Sequence, residues 1–154
     1  MKKIKTLPLV LLAGILMTGC TKEYVTFASQ TVSYEYTIVP AQWERNQGAN
    51  NPGGENYLYA TFNNSDITPD VMQNGMVSAD VFLIYDSQHN YGAWNPLPYV
   101  YPLELNTGTI VPENIRFEWE QGRVTFIIQD LDGYDPEDMV STIQVRVNVT
   151  GNLH

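Results

Sequence analysis

The sequence predicts an all-β protein, an antiparallel and immunoglobulin-like β-sandwich of about seven strands. Three observations lead to this fold class. Helical periodicity is nearly absent after Cys20, apolar and polar residues alternate over short segments, and Gly, Pro and Asn separate these segments. The 154 residues are 44 % hydrophobic and 12 % aromatic, which excludes a disordered chain, and the length suits one domain.

Seven segments are predicted as strands, and in chain order they are residues 32–38, 57–63, 77–85, 98–105, 115–119, 124–129 and 143–149. Phe82 and Ile84 occupy the second face of the third segment, so we expect its second half to be covered on both sides. Pro98 and Pro102 predict that the fourth segment is an edge strand. The turn at Gln121-Gly122 predicts a hairpin between the fifth and sixth segments.

One segment departs from the strand pattern. Thr68 is a good helix cap, Pro69 suits the first helical position, and Asn74-Gly75 is a stop signal. These residues predict one short helical turn near residues 68–74, between two strands.

The N-terminus has the features of an export signal. Three lysines in the first five residues precede an apolar run of 11 residues, Leu7–Met17. That run is too short to cross a bilayer, which requires about 20 residues. We therefore expect a signal peptide over residues 1–19 that is removed from the mature protein.

The residues that follow the apolar run resemble the lipobox of bacterial lipoproteins, because the small residues Thr18 and Gly19 precede the single cysteine, Cys20. The resemblance implies cleavage before Cys20 and attachment of lipid to its thiol. Residues 20–30 would then be the lipidated cysteine and a tether, and residues 31–154 the β-sandwich domain. Several acyl chains together give stable anchoring. The alternative is a plain secretory peptide with a free cysteine.

The charge of the chain limits its partners. The formal net charge is −9, and removal of residues 1–19 leaves five bases against 17 acids, or −12. A strongly acidic domain repels nucleic acid and anionic lipid, so we expect no nucleic acid partner and membrane attachment through the lipid anchor only. Thr21 stands where an inner-membrane retention signal would have Asp. We expect an exported lipoprotein of the outer membrane of a Gram-negative bacterium, on either its periplasmic or its surface side.

An ordered set of residues runs through about residues 32–149 and consists of Trp43, Tyr57–Phe62, Ile67-Thr68, Val71, Asn74–Val77, Trp94 and Leu97–Tyr99. This set is similar to a group of small, uncharacterised lipoproteins of gut Bacteroidetes. The resemblance implies a secreted β-sandwich. Because that group has no assigned activity, it implies no catalytic residue.

The sequence contains few of the residue patterns that are typical of catalytic sites. The only histidines are His89 and His154, and no serine lies in a nucleophile elbow. The 17 acids offer many carboxylate pairs for glycoside hydrolysis, but so small a sandwich leaves little room for a substrate groove. We therefore predict that the protein is not an enzyme.

An acidic run near the last strand is a candidate metal site. Asp130, Asp132 and Asp135 surround Gly133 and offer the hard oxygen ligands that Ca²⁺ prefers. The spacing does not match an EF-hand loop. The alternative is a solvated acidic turn, and no other cofactor is expected.

Five aromatic residues are candidates for ligand binding: Trp43, Tyr91, Trp94, Tyr99 and Tyr101. Trp94 lies in a turn-rich stretch, where the five side chains would form an exposed platform for a sugar ring. The alternative is that Trp43 and Trp94 fill the ends of the sandwich. The sequence thus favours a non-catalytic binding or interaction module of the cell envelope, with a protein partner at the edge segment 98–105. The alternative function is an accessory lipoprotein that binds glycan around Trp94.

Overall fold

Alternating apolar residues build two facing antiparallel sheets, which confirms the all-β sandwich. The structure is a computed structural model and describes residues 29–46, 57–86, 88, 91–104, 107–130 and 142–152. Within those ranges, no helix has the length and apolar character needed to cross a membrane. The predicted signal peptide, Cys20 and most of the predicted tether lie outside the described residues.

The described residues form nine strands. Their bounds are β1 Gln30–Ile38, β2 Glu44–Arg45, β3 Leu58–Asn63, β4 Met76–Asp86, β5 Tyr91–Pro96, β6 Tyr99–Glu104, β7 Ile110–Glu120, β8 Arg123–Asp130 and β9 Ile143–Gly151. The four-stranded sheet has the order β1-β9-β4-β5, and the five-stranded sheet has the order β2-β3-β8-β7-β6. All seven predicted strands are present, and β2 and β5 are additional.

Strand β5 corrects the expectation that Trp94 lies in a turn-rich stretch. Gly92, Asn95 and Pro96 are typical of turns, yet residues 91–96 pair with β4 along their length. The ladder that β4 offers outweighs the weak local preference of this segment. Trp94 is therefore held on a sheet.

The core lies between the two sheets and follows the period of two. Val145, Val147 and Val149 of β9 are fully buried, whereas the residues between them face outward. Among the described residues, Phe126 of β8 is the largest fully buried side chain, and it packs near Tyr36 and Phe62. This alternation gives each sheet an inner face and an outer face.

The predicted hairpin between β7 and β8 is confirmed. Gly122 in its turn has φ 77°, a left-handed conformation that favours glycine. Its N–H donates to the Ile67 carbonyl at 2.9 Å, and its carbonyl accepts from the Asn64 N–H at 2.8 Å. The turn is thereby joined to the segment that leads into the helix.

The predicted helical turn is the helix α1, Pro69–Asn74. The Thr68 side chain caps it by accepting a hydrogen bond from the Val71 N–H at 3.2 Å. Val71 is fully buried against the strands. The helix closes one end of the sandwich and carries no site residue.

Candidate binding surface

The outer face of the four-stranded sheet carries the most unusual group of side chains among the described residues. The strand register aligns two rows across this face. One row is Thr37, Gln144, Phe82 and Trp94, and the other is Glu35, Arg146, Asp80 and Pro96. Each row crosses all four strands.

Arg146 connects the two sides of this face. Its Cζ lies 4.0 Å from the centroid of the Trp94 ring, within the range of a cation–π contact. Its Nε and Nη2 both donate to Oε1 of Glu35, at 3.1 Å and 2.8 Å. Side chains from β1, β9 and β5 thus contact one another across the sheet, and the guanidinium supports the orientation of the indole ring.

Phe82 lies beside Trp94, with ring centroids 5.2 Å apart and planes inclined by 57°. Gly92 makes room for it, because a Cβ there would lie 2.6 Å from Phe82 Cζ and 2.7 Å from the Leu83 carbonyl oxygen. Ile84 pairs with Gly92 in the register and is 58 % exposed. We call Phe82, Ile84 and Trp94 the apolar strip.

The exposure of Ile84 corrects the expectation that the second half of β4 is covered on both faces. Strand β4 is central in its sheet, between β9 and β5, as the apolar content on both faces suggested. Its outer face, however, is open at Ile84. A run of apolar residues on both faces therefore marks an exposed strip here, where we expected a second covering layer.

A polar region adjoins the apolar strip on the same face. Asn148 donates to Asp80 Oδ2 at 3.2 Å and Ser78 Oγ at 3.5 Å, and it accepts from Ser33 Oγ at 2.7 Å. Carboxylate, amide and hydroxyl groups are thus ordered by their neighbours. The face as a whole offers apolar contact on one side and directed hydrogen bonds on the other.

The five predicted aromatic residues do not come together in one platform. Tyr99 and Tyr101 point inward from β6, where they stack at 6.4 Å and pack against the core. Trp43 also packs against the core. Tyr91, 65 % exposed, begins β5 at the register shift. Trp94 lies on the outer face of the four-stranded sheet, with Phe82 beside it. The packing of Trp43 fits the alternative that it fills the sandwich.

Sequence reasoning missed Phe82 and Arg146 as members of the surface. Both stand at outward positions of correctly predicted strands, so the alternation along each strand was enough to predict that they lie on the outer face. What the sequence did not contain was the strand order, which places β4 between β9 and β5. The position of β5 itself was also hidden by its turn-like composition.

Of the three metal candidates, only Asp130 is among the described residues, since Asp132 and Asp135 lie outside them. Asp130 ends β8 on the inner face of the five-stranded sheet and is 4 % exposed. The described ranges contain no group of three or more His, Cys, Asp or Glu side chains that could hold a metal ion. Calcium binding by this run stays a prediction.

Asp130 belongs to a buried polar cluster with Glu113 and Tyr101. Glu113 is opposite Asp130 in the β7–β8 register, is 1 % exposed, and accepts a hydrogen bond from the Tyr101 hydroxyl. Burial, and then the charge of Asp130, raise the pKa of Glu113 from 4.5 to about 7. Within the described part of the chain, Glu113 Oε2 has no hydrogen-bond partner. We therefore expect Glu113 to change its protonation state near neutral pH.

Three residues considered above for lipidation or catalysis cannot be placed in the fold. Cys20, His89 and His154 are all outside the described residues. Comparison of the chain with protein-family models, with curated proteins and with solved structures found no match in any of the three.

Proposed function

We propose that the protein is a lipid-anchored, extracytoplasmic and non-catalytic binding module of the outer membrane. The export signal and the lipobox-like residues before Cys20 support the anchoring. Its binding surface is the outer face of the four-stranded sheet, and the ligand class that fits this surface best is a glycan. Its attachment to the membrane is through lipid on Cys20.

The observation that carries the proposal is the apolar strip beside an ordered polar region. Ile84 is 58 % exposed next to two aromatic rings that neighbouring side chains hold in fixed orientations. Exposed apolar patches rimmed by polar groups typically mark binding sites.

A sugar ring has the same two-sided chemistry. One face of a pyranose presents C–H groups, which pack against aromatic side chains, and its hydroxyl groups both donate and accept hydrogen bonds. The apolar strip matches the first, while Asp80, Asn148 and Gln144 match the second. The charge of −12 on the mature chain favours an uncharged glycan over an anionic one.

Tryptophan fluorescence of residues 21–154, titrated with a panel of plant and host glycans, tests this proposal. We expect saturable quenching that Trp94→Ala weakens by roughly tenfold or more, because the stacked ring is lost. Tyr57→Ala is the matched control, since it removes an outward aromatic side chain from the other sheet. A flat response across the panel, or equal losses in the two variants, would refute glycan binding at this face.

The second candidate is a protein partner that pairs with the edge strand β6. This strand is at the edge of the five-stranded sheet, as its prolines predicted, and Val100 on it is exposed. Pro102, however, lies in the middle of β6 and has no N–H to donate to an added strand. The variant Pro102→Ala restores this N–H and should therefore strengthen any pairing of a partner strand with β6. An affinity for the partner that Pro102→Ala leaves unchanged would exclude β6 as the interaction site.

A further inference from the structure

The four sheet edges in the described part of the chain differ in how well they are protected from pairing. Strand β2 has only two residues, and β6 contains Pro102. Strand β5 begins at a register shift, where Gly92 pairs with Ile84 but Tyr91 with Asp86, and it ends at Pro96. Short length, proline and irregular register are the devices by which proteins blunt exposed edges. Strand β1 has none of them.

Strand β1 is long and regular. Its nine residues pair with β9 in an unbroken ladder from Gln30↔Gly151 to Ile38↔Ile143, and they include no proline or glycine. Backbone groups of alternate residues point to opposite sides of a strand, so about half of those of β1 face away from β9. Among the described residues, no strand pairs with that side.

We propose that β1 pairs antiparallel with β1 of a second copy of this chain, which joins two four-stranded sheets into one of eight strands. The interface is isologous, with a two-fold axis at the centre of the strand. This inference concerns the edge of the sheet, so it stands independently of the ligand proposed for the outer face.

The register of this pairing follows from the pleat. Inward residues must oppose inward residues, so the two-fold axis has to pass through a residue position. Only an axis at Tyr34 uses all nine residues of both strands, with Gln30 opposite Ile38 at each end. An axis one residue later, at Glu35, would oppose two carboxylates.

The side chains are complementary in the register centred on Tyr34. Glu35 of one copy faces Ser33 of the other, and Thr31 faces Thr37, so no like charges meet on the outer face. On the inner side, Val32 faces Tyr36, a β-branched and aromatic pair of the kind that stabilises sheets. Glu35, the single charge on β1, is already bonded to Arg146 of its own copy.

Cysteine cross-linking of the full-length chain, purified in non-ionic detergent with Cys20→Ser, tests the register. Residues 31 and 37 are roughly 20 Å apart along one strand, too far for a bridge within a copy. Across the proposed interface they lie about 5 Å apart. We expect a covalent dimer from the Thr31→Cys/Thr37→Cys double variant and none from either single variant; a double variant that stays monomeric overturns the proposal.

A charge pair at Ser33 tests the same interface in equilibrium. In the dimer, residue 33 of each copy faces Glu35 of the other copy, so a substitution at Ser33 creates two charge pairs. Ser33→Glu makes both pairs repulsive and Ser33→Lys makes both attractive. Both variants lose the same hydrogen bond to Asn148. We expect the dimer dissociation constant from analytical ultracentrifugation to rise roughly 2- to 30-fold for Ser33→Glu and to fall for Ser33→Lys. A monomer at all concentrations, or equal effects of the two changes, overturns the proposal.

Discussion

The outer faces of the two sheets use the same three side-chain types with different results. On the four-stranded sheet, Arg146 lies 4.0 Å from the Trp94 centroid and binds Glu35. On the five-stranded sheet, Arg116 lies 5.9 Å from the Tyr57 centroid and binds Glu118. Each face thus combines an arginine, an aromatic ring and a carboxylate.

The difference is in the aliphatic residue on each face. Ile127 is opposite Arg116 and Tyr59 in the register and is 3 % exposed. Ile84 is 58 % exposed. It lies four residues along β4 from Asp80, the residue opposite Arg146 in the strand register. The comparison teaches that register, more than composition, decides which face closes over its apolar residue and which stays open.

The largest expected effect comes from truncating the two isoleucines. Ile127→Ala should lower the free energy of unfolding by about 2–4 kcal/mol, since it empties a covered site. Ile84→Ala should change it by less than about 0.5 kcal/mol, because that side chain is already in water. Urea denaturation of both variants checks this, and equal losses would break the distinction between a closed and an open face.

The buried carboxyl group on the five-stranded sheet gives the next effect. The pKa of Glu113 is about 7 in the folded state against 4.5 when unfolded, so the folded chain binds the extra proton. Stability should therefore fall as pH rises from about 4.5 to about 7, by about 1–3 kcal/mol. Glu113→Gln should remove that decline, because its neutral amide still accepts from Tyr101.

Denaturation at pH 5 and pH 8 measures this change, with Glu118→Gln as control because Glu118 is an exposed carboxylate on the same strand. The control should keep the wild-type dependence on pH. If Glu113→Gln also kept it, the cluster would not be the origin. Any glycan binding at the outer face of the four-stranded sheet should be the same in both variants at pH 5. Equal binding would show that the buried carboxyl group affects stability without affecting that face.

Much of this fold could be predicted from the sequence, because period-two alternation identifies strands wherever one face is buried. Seven strands, the capped turn at Thr68 and the hairpin at Gly122 follow from local signals. The site could not be predicted, since Arg146 and Trp94 are 52 residues apart and meet only through the sheet order. Strand β5 was hidden because its stability comes from β4 and not from its own residues.

Gly92→Ala tests how the apolar strip is built. An added Cβ would lie 2.6 Å from the Phe82 ring and 2.7 Å from the Leu83 carbonyl oxygen, so ring or backbone must move. We expect a loss of about 1–2 kcal/mol and a weaker response to glycan. Gly108→Ala is a useful contrast, because nothing lies within 4 Å of its added Cβ and any cost there arises from its φ of 78° alone. Unchanged glycan binding in Gly92→Ala would show that Phe82 is not part of the open face.

The smallest effect separates the two arginines. Arg146→Lys removes the planar group that lies on Trp94 and the paired bonds to Glu35, so it should cost about 0.5–1 kcal/mol. Arg116→Lys should cost less than about 0.5 kcal/mol, because its ring contact is longer, at 5.9 Å against 4.0 Å. The carboxylate partners of the two arginines are equally exposed, so the ring contact is what distinguishes them. Tryptophan emission gives a second reading: it should shift when Arg146 no longer covers Trp94 and stay constant in Arg116→Lys. The guanidinium, held by Glu35, supports the orientation of the indole ring, so Arg146→Lys should also weaken the proposed binding of glycan. If this variant bound glycan as well as the wild type, Trp94 would not depend on Arg146 for its orientation.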